Sequence, residues 1–135
     1  MPYKIVDIEG IGTTYAAKLN KQEIYTTTDL LTHCGTKLGR EKISSITHLP
    51  ESLLLTWVNH CDLMRLKGVA GQISELLEAA GVDSVPELRQ RNASNLYEKL
   101  LQVNAKFGLS GKVPSIDELQ NMIDQAKSLP AVVSH

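Results

Sequence analysis

A chain of 135 residues with 42% hydrophobic and 21% charged content is long enough to bury a core without metal or disulfide staples, and too apolar to be disordered. The net charge is −1, with eight Lys/Arg against seven Asp/Glu over residues 1–67 and six against eight over 68–135. That balance excludes a uniformly basic nucleic-acid binder, so any positive patch is local.

The first stretch, Pro2 to Ile8, leaves room for only a turn or two of leading helix. Ile8-Glu9-Gly10-Ile11-Gly12 then reads as a tight glycine turn. A helix follows through Tyr15-Ala16-Ala17-Lys18-Leu19, with Thr13 and Thr14 offering hydroxyls to its opening amides. Thr26-Thr27-Thr28-Asp29 before Leu30-Leu31 is a capping box, a hydroxyl at the N-cap and a carboxylate three residues on. His33-Cys34 and, further on, His60-Cys61 hold zinc-type ligands. Neighbours on a helix point about 100° apart, however, so each pair fits a buried cysteine better than a metal site. Arg40, after Gly39, reads as a solvated side chain or a phosphate contact.

A full leading helix is expected from Glu51 to Leu66, with Leu54, Trp57, Val58, Cys61 and Met64 on one face. Asn59, Asp62 and Arg65 share a helical face too, as a polar recognition strip or as an Asp62–Arg65 surface pair beside a core Trp57. Leu66-Lys67-Gly68-Val69-Ala70-Gly71 repeats the first turn at an offset of 58 residues. The same offset pairs Leu19 with Leu77, Ile24 with Val82, Thr26 with Ser84, Asp29 with Glu87 and Leu30 with Leu88. One supersecondary unit is therefore used twice. Its second capping box is Ser84-Val85-Pro86-Glu87, with proline tolerated in the first turn. The units differ at Gly81, a residue suited to a left-handed helix end. Its counterpart is Glu23, so the first helix is expected to end differently.

Residues 107–114 form a glycine-rich loop. The segment from Pro114 to Leu129 resembles Pro50 to Met64, with Met122-Ile123 where Trp57-Val58 stand. This last helix is expected to cover the surface that the short leader leaves open on residues 3–31, in the same chain or in a symmetry mate. Residues after Pro130 are expected to fray. The fold class that follows is all-α, two repeats sharing one core with a C-terminal packing helix. Residues 1–135 read as a single domain, with repeats over 1–50 and 51–109 and the packing helix over 114–129. Its expected core is Ile5, Ile8, Ile11, Leu19, Leu30, Leu31, Trp57, Leu66, Leu76, Leu77, Leu88, Leu100 and Leu101.

Glycines let a backbone approach a partner closely, and a helix N-terminus presents free N–H groups to an anion. The first hairpin is therefore a candidate set of phosphate contacts. The alternative is a turn that joins two helices or meets a protein. In the second hairpin the set would be Lys67, Gly68, Val69 and Gly71. Ala70 replaces a glycine there, and Gln72, Glu75 and Glu78 follow where lysines would help. Phosphate loops, paired cysteines and nucleophile elbows are absent from the sequence, and no pattern around Lys18 marks a reactive amine. The expectation is a non-enzyme without cofactor or metal. It would act on a DNA or RNA backbone or on a protein partner, with self-association as a homodimer open. Two cysteines, no signal peptide and no aliphatic run longer than Leu53–Leu55 point to the cytoplasm and away from membranes.

At Gly10, Ile11, Gly12 and Ala16 the chain resembles the helix-hairpin-helix superfamily, and this resemblance implies DNA-backbone contact by the hairpin amides, with Gly10, Ile11, Gly12, Thr13 and the nearby Lys18 and Lys21 as the phosphate-facing set. Over nearly its whole length it is similar to a bacterial family catalogued as domain of unknown function 4332. The residues concerned include Ile8 to Gly12, Thr26 to Leu31, Gly39-Arg40, Trp57-Val58-Asn59, Asp62 to Arg65, Ala79 to Val82, Arg91-Asn92 and Leu129-Pro130. That resemblance implies tandem helix-hairpin-helix architecture and assigns no activity. The sequence departs from it at Glu23, where glycine is expected, and at Met122, where tryptophan is expected.

Overall fold

Hydroxyl and amide side chains punctuate this chain, and five of its helices start where they fall. Thr26, Thr36, Ser84, Asn92 and Ser115 each accept a hydrogen bond from the backbone N–H three residues on. The computed structural model describes residues 3–8 and 10–135, and among them the regular structure is helical. A 3-10 turn at Ile5–Asp7 leads in. Eight helices follow: α1 (Thr13–Asn20), α2 (Thr27–Cys34), α3 (Lys37–Thr47), α4 (Glu51–Leu63), α5 (Gly71–Ala79), α6 (Val85–Leu88), α7 (Ala93–Phe107) and α8 (Ile116–Ser128). Glu9 of the first hairpin, with Met1 and Pro2, lies outside the described residues.

The 58-residue offset holds in the backbone. Gly10 and Gly68 have φ of 89° and 88°, the left-handed region where glycine carries no Cβ penalty. The amide of Ile11 donates to Ile8 at 3.1 Å, and that of Val69 to Leu66 at 3.2 Å. Both hairpin helices end alike, through Ile24 N–H to the Leu19 carbonyl at 3.1 Å and Val82 N–H to Leu77 at 2.9 Å. Glu23 therefore takes the left-handed conformation itself, at φ 61°, where Gly81 has 94°. The expectation of a different helix end at Glu23 is corrected: closing that bond outweighs the Cβ strain.

The last helix is also corrected. α8 packs on α6 and α7, in the second unit, instead of over residues 3–31. Its sequence likeness to α4 has a structural meaning at an offset of 65: Leu54 and Leu119, Trp57 and Met122, Val58 and Ile123, and Cys61 and Ala126 are all buried. The Trp57 Nε1 lies 3.8 Å from where a Cβ on Gly10 would stand, and Met122 Cε lies 3.7 Å from the same point on Gly68. α4 closes the first unit as α8 closes the second. A flexible thioether fills the place of the indole.

α4 also leads into the second hairpin, and from Trp57 to Met64 it is buried on every side. The core is one cluster running through both units. Two expected core positions are corrected: Leu31 is only partly buried and Leu101 is 44% exposed, on the solvent side of α7. The segment after α8 is corrected as well, because the Ser134 N–H donates to the Gly35 carbonyl at 2.9 Å and holds it down.

Candidate nucleic-acid interface

The first hairpin is anchored from below and open above. Ile8 and Ile11 are buried, while Gly10, Gly12, Thr13, Thr14, Lys18 and Lys21 are exposed. Gly12 occupies the N-cap of α1 with extended geometry and supplies no side chain to the opening amides. Thr13 and Thr14 do not substitute for it. Capping works from the N-cap position, one residue earlier, and that residue is glycine. Among the described residues no side chain caps the opening N–H groups of α1, whose first residues Thr13 and Thr14 are exposed beside the hairpin glycines.

The lysines sit apart from those amides. At 1.5 Å rise per residue, Lys18 is about 7–8 Å and Lys21 about 12 Å along the axis from Thr13. Among the described residues neither forms an ion pair. Tyr15 is an additional neighbour that sequence reasoning missed as a site residue. It is 37% exposed, and its ring meets Trp57 at a centroid distance of 5.2 Å and an angle of 60°. The available signal was an aromatic in the first turn after the glycines.

The second hairpin keeps nearly the same buried and exposed positions but lies closer against its own chain. Val69 is fully buried, and the Lys67 amide donates to Gln125 of α8 at 3.0 Å. A Cβ on Gly71 would stand 2.8 Å from the Asp7 carbonyl oxygen, so the leader of the first unit closes over the start of α5. Gly68 and Lys67 remain exposed at the edge, beside Met122 and Glu118. The two copies of one turn thus differ in cover: one open, one partly covered by its own chain at the Lys67 amide and at Gly71.

Three polar residues of the second half of α4, Asn59, His60 and Asp62, are interior. The expected surface pair is instead a partly buried one, with a half-buried Arg65 Nη1 2.6 Å from the fully buried Asp62 Oδ1 and the Val85 N–H donating to Asp62 Oδ2 at 2.8 Å. Asn59 is buried too, so no recognition strip reaches the surface. The expected core role of Trp57 holds. Arg40 is 3% exposed, neither solvated nor placed for phosphate; it donates to the carbonyls of Cys34 at 3.1 Å and Gly35 at 2.9 Å, closing the end of α2.

Cys34 and Cys61 are buried free thiols. Burial pushes the Cys34 thiol up to about 11 against the opposing pull of Arg40, and pushes Cys61 up further. Both ring nitrogens of His60 are engaged, Nδ1 with Ser74 Oγ at 3.1 Å and Nε2 with the Glu78 carboxylate. His33 is exposed on α2. Among the described residues no group of three or more His, Cys, Asp or Glu is placed to hold a metal, and no helix is long and apolar enough to cross a membrane.

Fold and surface together define an all-α protein built from two glycine-hairpin units. The chain belongs to the family described as a domain of unknown function, DUF4332, which matches residues 9–129. It is similar to a mitomycin resistance protein, McrB, of Streptomyces lavendulae, with 31% identity over 70 residues. That match covers 52% of this chain and 64% of the relative. No solved structure matches.

Proposed function

We propose that this protein is a non-enzymatic binding module of helix-hairpin-helix type that contacts nucleic-acid backbone phosphates through its first hairpin. The observation carrying this reading is the open start of α1: Gly12 leaves its amides uncapped and exposed, whereas five other helices are capped by their own side chains. A phosphate oxygen there would accept N–H bonds and sit at the positive end of the helix. Lys18 and Lys21 would meet further phosphates, and Tyr15 offers a ring to a sugar or base. Two buried free thiols suit work in the reducing cytoplasm.

With two or three phosphates neutralised, binding is sequence-independent and weak, on the order of 10⁻⁴ M at physiological salt, and log K falls with log salt at a slope of about −2 to −3. Gly12→Glu is a clean probe, because a Cβ at Gly12 meets nothing within 4 Å. Fluorescence anisotropy of labelled duplex and single-stranded DNA should show binding at low salt, lost in Gly12→Glu with the fold intact by circular dichroism. No binding by the wild type at low salt would retire the phosphate reading. The name of the S. lavendulae relative makes survival under mitomycin the phenotype to score with the same pair of proteins.

A protein partner is the second reading, favoured by the near-neutral charge and by Val6 and Tyr25, 47% and 54% exposed. They border a cleft of about 330 Å³ between the leader and α1.

A further inference from the structure

The segment after α8 crosses from the second unit to the first and is held at each step by its main chain. Leaving the helix at Leu129, with φ −90° and ψ 136°, it is extended. The Leu129 carbonyl accepts from Arg89 Nη2 at 2.8 Å, and the Pro130 carbonyl from Arg65 Nη2 at 2.9 Å. Further on, the Ser134 N–H donates to the Gly35 carbonyl at 2.9 Å and the Ser134 carbonyl accepts from Arg40 Nη2 at 2.5 Å.

The seat for residues 132–134 belongs to the first unit. Arg40 is buried with its fork already fixed by two α2 carbonyls, so it meets an incoming carbonyl preorganised. Gly35 lets the strand come close: a Cβ there would stand 2.6 Å from the Val132 carbonyl oxygen, and 2.5 Å from the Leu31 carbonyl oxygen of α2. Val133 packs against the core, and Val132 lies beside Thr28, Leu31 and Thr32. The pattern is that of extended-peptide recognition, in which backbone bonds give affinity and a neighbouring apolar contact gives preference.

We propose that this groove is a peptide-docking site whose occupant in trans is residues 130–134 of a second copy of the chain. Strap and seat lie on different units, 94 residues apart at the Arg40–Ser134 bond. Beyond Pro130 the strap's polar bonds are made to first-unit groups, Gly35 and Arg40. A strap from another copy makes the same bonds, and exchange of an identical element joins protomers at little cost. The tethered strap competes with it through its own effective concentration.

The test separates strap from seat in the 135-residue protein. Ser134→Pro removes the N–H that meets Gly35, so the seat stays intact while the resident strap is weakened. A fluorescent synthetic peptide of residues 129–135 should bind the Ser134→Pro protein saturably and about tenfold more tightly than it binds wild type, whose own strap occupies the seat most of the time. A peptide carrying the same proline should not bind. A Gly35→Ala protein, seat blocked and strap intact, mixed with Ser134→Pro should sediment as a heterodimer that excess peptide dissolves. Wild type is the strap donor if Gly35→Ala does not fold. Equal or absent peptide binding by Ser134→Pro and wild type, or a mixture that stays monomeric, overturns the proposal.

Discussion

Asp62 is the residue on which the second unit turns. Its carboxylate is fully buried, paired with Arg65, and takes the first N–H of α6 from Val85. At the matching place in the first unit the Thr27 N–H donates to the Tyr3 carbonyl at 2.8 Å, so a side chain in one unit does what the main chain does in the other. Asp62→Ala takes the carboxylate from a half-buried guanidinium, which keeps its bond to Pro130, and leaves a buried N–H without its acceptor. Losing one partner of a buried pair costs about 3–5 kcal/mol, and urea denaturation should show a loss of that size. A loss below about 1 kcal/mol, the value of an exposed pair, would mean that Asp62 is effectively solvated. Glu23 runs the other way. It holds φ 61° with a Cβ that strains there, so Glu23→Gly should stabilise by about 0.5–1 kcal/mol, net of the entropy glycine adds to the unfolded chain. Thermal melting checks this, and unchanged or lowered stability would show that the Glu23 side chain earns its place.

At the scale of elements, two capping boxes make stability depend on pH. The Tyr25 N–H, with further help from Thr26 and His33, holds the Asp29 carboxyl below its ordinary value of 3.8 against the opposing effect of burial. The Ser115 N–H does the same for Glu118, whose ordinary value is 4.5, with Lys112 assisting. A carboxyl whose folded value is lowered contributes its stability above the unfolded value and loses it as pH falls through the folded one. The double variant Asp29→Asn, Glu118→Gln should therefore be less stable than wild type at pH 6, with the gap closing below about pH 4. Melting curves from pH 2 to pH 6 would show it, and parallel curves would refute it. The Thr26 box was legible because a cap is a local pattern. At Ser84 the hydroxyl accepts from the Glu87 N–H, but the Glu87 carboxylate goes to Arg91 at 3.1 Å, an i,i+4 competitor. The seat of α8 was not legible. The repeat changes offset from 58 to 65, partly because α7 has 15 residues where α3 has 11, so a search in one register finds the helix without its place. Arg40 and Asp62 were missed for a related reason: a charged residue on a helix reads as its wet face, and only tertiary packing puts it inside. In the candidate site, the hairpin glycines announced themselves in sequence, but which hairpin stays open is decided by Asp7 and Gln125, distant in the chain.

Across the whole molecule, the arrangement of α4 decides whether two units unfold as two or as one. α4 lies against α2 and α3 of the first unit and against α5 of the second. Neither unit can expose its core without uncovering one side of this helix, which is buried all round over its last two turns. Cys34 on α2 and Cys61 on α4 report on the two sides. Both are buried and both thiols titrate above their usual range, Cys61 in part because Cys34 stands near it. A thiol in that state is inert until its surroundings open, so the rate of modification measures the opening. With a thiol reagent at pH 8, and the modified sites separated by peptide mass spectrometry, the two cysteines should react at equal rates. Those rates should rise together with denaturant along the global unfolding curve. Reaction of Cys34 more than about tenfold faster than Cys61, corresponding to about 1.4 kcal/mol of separate opening, would mean that α2 leaves α4 on its own and that the repeats behave as neighbours in a solenoid. Equal rates would make α4 the common wall through which the first hairpin and the second unit share one stability.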